Sequence, residues 1–266
     1  MLNNIMIILI LLVIFLILLC SIYSDVKFIN TSTTETKNIT INVLFLVRDG
    51  EKYLLNNLNK IETFCKDNFG NYKILFLEND SRDSTRQILL NKMSTNNKIK
   101  GVFKKMNDKH STKLCKDTII NYNCNTRTRF LASLRQELLE YSLKYLSDIT
   151  LICDLDFVSF DESELLKMVR VLIDNNLDGI FGMSYSNKIP YDIGAINPKW
   201  TIPTIVIGGN NIIQVNSAFS GFGVYSTKSI TSKKAKYNLN NNSIEHIDFN
   251  KYFDKLYVYP KFKPEY

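Results

Sequence analysis

The chain is expected to form one α/β domain, a mostly parallel, Rossmann-like sheet flanked by helices, and three observations lead there. Short apolar runs alternate along the sequence with segments of helical periodicity. The runs are apolar at nearly every position rather than at alternate ones, as in strands buried on both faces. Several of them stop abruptly at turns rich in Asp, Glu and Asn. Ligands of open α/β sheets sit outside the carboxyl ends of the strands, so those turns are also where function is expected.

Each element follows in order. Ile5 to Cys20 is uninterruptedly apolar, extended by Ile22 and Tyr23. It has no polar face, and its length sits near the lower limit for spanning a bilayer. No small-x-small cleavage site follows it. Residues 1–23 therefore read as a membrane anchor, 24–38 as a polar stem and 39–266 as the folded domain. A single-pass, type II-like placement with the domain luminal or extracytoplasmic is the most economical topology, although Met1 to Asn4 carry no Lys or Arg to orient it. In that compartment the sequons at Asn30, Asn38, Asn79 and Asn241 become meaningful. Of five cysteines, Cys20 lies in the apolar run, and Cys65 and Cys153 read as core. Cys115 and Cys124 sit in a polar loop where an oxidising compartment would permit a disulfide.

Ile39 to Val47 is the first strand of the domain, ending in Arg48-Asp49-Gly50-Glu51. Leu54, Leu55, Leu58, Ile61 and Phe64 then recur at helical spacing. Lys73 to Leu77 is a second strand, ending in Glu78-Asn79-Asp80-Ser81-Arg82-Asp83-Ser84-Thr85. Ser81, Asp83 or Ser84 is available to cap the helix over Arg86 to Lys92. Ile99 to Phe103 is a third strand, followed by a long polar loop, Lys104 to Asn125. Phe130, Leu131, Leu134, Leu138, Leu139 and Leu143 mark an amphipathic helix over Arg129 to Leu146. Ile149 to Cys153 is a short buried strand, Glu162 to Asn175 a helix and Gly179 to Ser184 a strand. Beyond it, Tyr191 to Asn197, Ile202 to Gly209 and Ile212 to Tyr225 read as shorter strands and loops.

The strand Ile149 to Cys153 carries the chemistry. Asp154 and Asp156 follow it at once, and on an extended backbone residues two apart point to one side. Two carboxylates so close repel unless a cation lies between them. Mg²⁺ binds in this way, through one or two carboxylates plus substrate phosphate oxygens. The plain alternative is a turn with Asp154 as its cap. Arg48, Asp49 and Glu51 end the first strand, and Asn79, Asp80 and Asp83 the second. Carboxylates there suit the N–H and O–H groups of a base or sugar. Arg127, Arg129 and Arg135 open the helix before the Asp-x-Asp strand, and arginine is the better fork for phosphate. The alternative for each is a solvated helix face. The chain has two histidines, and the one in Glu245-His246-Ile247-Asp248 offers a neutral imidazole as a third ligand for a Mn²⁺-like ion. The net charge of +7 suits a phosphate-bearing ligand or a membrane surface. No basic cluster is interleaved with aromatics, so no nucleic-acid partner is expected.

Four stretches together resemble a known family: Leu77 to Thr85, Cys153 to Asp156, Tyr191 to Gly194 and Glu245 to Asn250. In that order and spacing they resemble the metal-dependent glycosyltransferases of the A-type fold, over about residues 41–250. The resemblance implies that Arg48, Asp49, Asp80, Asp83, Arg135 and Asp154 face a nucleotide-sugar donor. It implies Mn²⁺ or Mg²⁺ held by Asp154, Asp156 and His246. It implies a glycan or glycoprotein acceptor, with Asp192 or Asp248 as the base if the reaction inverts the anomeric centre. Val215 to Gly223 looks like the acceptor-side loop, its glycines letting backbone approach a sugar. One departure is the sequon at Asn79, where a glycan would block the site, so Asn79 is expected to be unmodified. A metal-dependent nucleotidyltransferase would use the same carboxylates, but would want a phosphate loop better than Arg48-Asp49-Gly50. A non-catalytic, membrane-anchored carbohydrate-binding domain would keep the fold without turnover.

Overall fold

The computed structural model describes residues 26–27, 34–105, 125–187, 189–198, 211–238 and 244–266. Its strands are β1 (Val26–Lys27), β2 (Thr40–Val47), β3 (Asn71–Asn79), β4 (Ile99–Lys104), β5 (Ile149–Cys153), β6 (Gly179–Phe181), β7 (Tyr185–Ser186), β8 (Ile189–Pro190), β9 (Ile212–Val215), β10 (Phe222–Ser226) and β11 (Leu256–Val258). The helices are α1 (Glu51–Asn68), α2 (Thr85–Thr95), α3 (Asn125–Ser142), α4 (Glu162–Asp174), α5 (Thr227–Ser232) and α6 (Glu245–Asn250).

Among the described residues nine strands form one sheet in the order β1-β9-β11-β6-β10-β5-β2-β3-β4, and β7 and β8 form a separate hairpin. β2 runs parallel to both β3 and β5, and β3 parallel to β4. β10 is antiparallel to β5 and β6, which turns the second half of the sheet into a mixed one. β1, inside the stretch read as a stem, pairs with β9.

Side-chain alternation along β2 explains the three layers. Ile41, Val43 and Phe45 face one way and pack with Leu54, Leu58, Ile61 and Phe64 of α1 and with Leu165 and Met168 of α4. Leu44 faces the other way, into a second core with Leu75, Leu77, Leu134, Leu138 and Phe249. Every residue of β5 is buried. Burial of each such aliphatic or aromatic side chain contributes about 1.5–3 kcal/mol, so the strand that ends in Asp154 is held from both faces.

Two expectations need correction and one is sharpened. First, α3 ends at Ser142 instead of running to Leu146. Asn42 on β2 donates from Nδ2 to the Ser142 and Tyr145 carbonyls at 3.5 and 3.0 Å, so the last turn is closed by a neighbouring strand. Leu146 consequently stands 95% exposed. Second, residues 191–197, read as part of a region of short strands and loops, are a turn and a short 3₁₀ segment, Ile193–Ala195, with Asp192 in the left-handed region at φ 49°. Third, the single-pass membrane placement is overturned: among the described residues no helix is long and apolar enough to cross a membrane. The apolar run of residues 1–23 lies outside the described residues, as do Cys115, Cys124, Asn30, Asn241 and the strand expected over 202–209.

Candidate functional site

Chain direction and register assemble one edge of the sheet. Val47 pairs with Glu78, and Leu44 with Ile152, so the carboxyl ends of β2, β3 and β5 come out side by side. Arg48, Asp49, Asp80, Asp83, Asp154 and Asp156 therefore lie along the same edge, as the sequence suggested. The second half delivers its turns to that edge too. Phe222 of antiparallel β10 pairs with Cys153, which sets Gly221 opposite Asp154. The Asp154 N–H donates to the Gly221 carbonyl at 2.9 Å.

The β2 and β3 ends are tied to one another. Asp49 accepts from the Arg82 N–H at 2.7 Å and donates its own N–H to Ser81 Oγ at 3.0 Å. The Glu51 N–H donates to Asp83 at 2.9 Å, while Glu51 accepts from the Ser84 N–H at 2.9 Å. Asp83 also accepts from the Thr85 N–H at 3.0 Å and so helps to start α2. Slight burial works to raise the Asp83 pKa, but hydrogen bonds from Thr85 and Glu51 outweigh it and hold the carboxyl below its ordinary value. Beneath this clasp Glu78, fully buried, accepts from Arg86 at 2.8 and 3.0 Å and from the Ser81 N–H at 2.7 Å. Asn79 is 4% exposed, too deeply packed for a glycan on the folded chain.

The β5 end is built differently. Arg135, on α3, is 8% exposed and sits between two carboxylates. Its Nη2 lies 3.3 Å from Asp154 Oδ1 and its Nε 3.4 Å from Glu245 Oε1. Both contacts exceed the roughly 2.7–2.9 Å of a firm charge-assisted hydrogen bond. Burial disfavours the guanidinium charge, but Asp154 and Glu245 outweigh it and raise its pKa. The guanidinium also stands 5.2 Å over the Phe219 ring. Asp156 reaches solvent, yet the protein packed around it, and secondarily the Asp154 charge, push its pKa up.

Tyr191 and Tyr266 complete this end. Their rings stack at 4.7 Å, and the Tyr266 hydroxyl donates to the Asp154 carbonyl at 3.4 Å. Burial, followed by the charges of Asp156, Asp154 and Asp192, pushes the Tyr191 phenol up to about 12. Asp192 thus shares a field with the Asp-x-Asp pair. Gly221, at φ +78°, was expected to make room for a sugar. Instead an added Cβ would lie 2.0 Å from the Tyr266 hydroxyl, so that space is already filled by the chain itself.

His246 lies on α6 with its Nε2 4.0 Å from Glu245 Oε1, and Asp248 follows on the same helix. His246 stacks on Phe219 at 3.6 Å and meets Tyr237 edge-on at 5.8 Å. Neither ring nitrogen has a hydrogen-bond partner. Burial, reinforced by Arg135, drives its pKa well below the ordinary value, so the imidazole is neutral. Among the described residues no three His, Cys, Asp or Glu side chains are arranged to hold a metal ion. The expected set of Asp154, Asp156 and His246 is therefore not assembled, because α6 buries His246 in the second core behind the edge. Asp248 is 3% exposed and pairs with Lys251 at 2.5 Å. Glu245 was not singled out from the sequence as a site residue. Its contact with Arg135 spans 110 positions, and no local pattern announces it.

No family model and no curated protein matches the sequence. The fold is nevertheless shared with solved structures. A mannosyltransferase from Pyrobaculum calidifontis, in complex with GDP-Man and Mn²⁺, superposes with a TM-score of 0.56 at 9% identity, over 90% of this chain and 60% of that one. S. aureus TarS residues 1–349, in complex with UDP-GlcNAc, gives 0.53 at 13% identity, over 86% and 59%. The chain thus has the fold of the A-type nucleotide-sugar glycosyltransferases, and it spans about 60% of the length of those structures.

Proposed function

We propose that this protein transfers a sugar from a nucleoside-diphosphate sugar to a hydroxyl group of a glycan or glycoprotein acceptor, with Mn²⁺ or Mg²⁺ at the diphosphate. The observation that carries this reading is the end of β5. There Asp154 and Asp156 emerge together at the carboxyl edge of a central strand, in this fold, with their charges only partly compensated. Asp154 and Glu245 share a single guanidinium, and Asp156 adds a further carboxylate beside Asp154, an excess of negative charge that suits a divalent cation. The raised pKa of Asp156 fits the same picture: burial first, and then the neighbouring Asp154 charge, disfavour its anion.

Asp154 and Asp156 would hold the ion, which would supply Lewis-acid stabilisation of the leaving diphosphate. Arg48, Asp49, Asp80 and Asp83 would frame the nucleoside. Asp49 and Asp83 would do so by fixing the two loops, since both already accept backbone N–H groups. Arg135 would present its guanidinium to the diphosphate side of Asp154. Asp192 is the better-supported acceptor base, because it stands beside Tyr191 at the edge. Asp248 is buried and paired with Lys251. A base at Asp192 would take the proton from the acceptor hydroxyl as its oxygen attacks the anomeric carbon.

A chromatographic screen of UDP- and GDP-sugars with the full chain and Mn²⁺ tests this. One donor should be consumed, chelation should stop it, and Asp156→Asn should lower the rate at least about 100-fold. No turnover of any donor, together with no Mn²⁺-dependent binding of UDP or GDP, would sink the reading.

A further inference from the structure

Resting on that reading, we infer that Arg135 is a resident counter-cation of the metal site, and that Glu245 is the positioning residue that keeps it from closing on Asp154. The geometry of the guanidinium points to this. It is nine-tenths buried, yet commits to neither carboxylate, lying 3.3 Å from one and 3.4 Å from the other. A bidentate fork on a single carboxylate would be shorter and stronger. Glu245, 6% exposed, faces this guanidinium from α6, an element remote in sequence. A buried carboxylate is costly unless a cation compensates it, so Glu245 and Arg135 depend on one another.

The consequence is a division of labour. Arg135 offsets the Asp154 charge while no ion is present. Glu245 draws the guanidinium back, which leaves Asp154 weakly held and open to an incoming divalent ion. With Asp154 holding such an ion, Nη2 would be free for a diphosphate oxygen while Nε stays on Glu245. Without Glu245 the guanidinium would settle on Asp154 and compete with the ion.

Calorimetric titration of Mn²⁺ into the full chain, with and without UDP or GDP, tests this independently of turnover. Glu245→Gln should weaken Mn²⁺ binding about tenfold, the range for groups supporting a metal ligand. Glu245→Asp should restore most of the loss. Arg135→Met should tighten Mn²⁺ alone but abolish the gain in affinity that the nucleotide supplies. Arg135→Lys keeps the charge without the fork and carries the test if the methionine variant fails to fold. It should bind Mn²⁺ within about threefold of wild type, and the nucleotide gain should fall about tenfold. Wild-type Mn²⁺ binding that Glu245→Gln leaves unchanged, or a nucleotide gain that both Arg135 variants retain, would overturn the inference alone. A wild-type chain that binds no Mn²⁺ with either nucleotide overturns the functional reading and the inference with it.

Discussion

Two ends of neighbouring strands look alike in sequence and behave oppositely in the structure. The ends of β2 and β3 and the turns beyond them bring together Asp49, Glu51, Glu78 and Asp83, and the turn after β5 carries Asp154 and Asp156. In the first region each of the four carboxylates accepts a backbone N–H within the pair of loops, and Glu78 also takes a guanidinium. In the second, Asp154 has a long contact to a shared arginine, and Asp156 carries a raised pKa. A carboxylate saturated by amides holds a loop, whereas one left short of positive charge awaits a ligand. The number of carboxylates at a strand end therefore says less about function than what their oxygens already touch.

The largest expected effect lies in the second region. Asp154→Asn and Asp156→Asn should each lower sugar transfer at least about 100-fold, because a ligand charge disappears. Asp156→Asn should not lower the melting temperature of the metal-free protein, since it relieves repulsion with Asp154. A melt that falls as far as the activity would make these carboxylates structural and erase the contrast between the regions.

Gly221→Ala follows in size. Its φ of +78° alone costs a non-glycine residue about 1 kcal/mol. The new Cβ also meets the Tyr266 hydroxyl, which must leave the Asp154 carbonyl. A loss of about 2 kcal/mol in chemical denaturation is expected, with activity reduced as the turn behind Asp154 loosens. Wild-type stability together with wild-type activity would show that Tyr266 has no part in holding the edge.

Much of this was legible in the sequence, for physical reasons that also mark the limits. β2, β3 and β5 are buried on both faces, so their apolar runs declared them, and the parallel connections set their ends on one edge. Asp154 and Asp156 were visible because a two-residue spacing on a strand end is local geometry. What could not be read depends on distant partners. The end of α3 is decided by Asn42, a strand residue about a hundred positions away. The role of Gly221 is decided by Tyr266, and that of Glu245 by Arg135. His246 was expected at the metal from imidazole chemistry and the family resemblance, and only its packing on Phe219 reveals that α6 turns it inward.

Asp83→Ala sharpens the contrast from the first region. It removes acceptors for the Glu51 and Thr85 N–H groups, a loss comparable to that of a helix cap, about 1 kcal/mol. Because hydrogen bonding holds this carboxyl below its ordinary pKa, its contribution is present above the unfolded value near 3.8 and fades as pH falls through the folded one. The variant should therefore differ from wild type in denaturant midpoint at pH 7 and converge with it in strong acid. Donor KM should shift more than kcat, since the clasp shapes the nucleoside end. A variant with intact stability but no detectable activity would instead give Asp83 a direct role.

The smallest expected effect concerns His246, which is buried beside Glu245 and stacked on Phe219. Burial first, and Arg135 second, depress its pKa well below the ordinary value near 6.5. In the unfolded chain the imidazole takes a proton as pH falls below that value; in the folded chain it stays neutral. The unfolded state then binds more protons, so stability declines as pH drops from about 6.5 toward the depressed folded pKa. By pH 5.5 this single group should contribute a loss on the order of 1 kcal/mol. Phenylalanine preserves a flat ring against Phe219 and cannot titrate. His246→Phe should therefore match wild type near pH 7.5 and decline less on acidification, as read from melting temperatures across pH 5 to 8. Its Mn²⁺ affinity in the presence of UDP or GDP should stay within about threefold of wild type, because the ring is stacked on Phe219 and, among the described residues, joins no group of three side chains able to hold a metal. A sharp loss of Mn²⁺ binding in this variant would instead bring His246 into the metal shell once ligands bind, and would require α6 to move toward the edge.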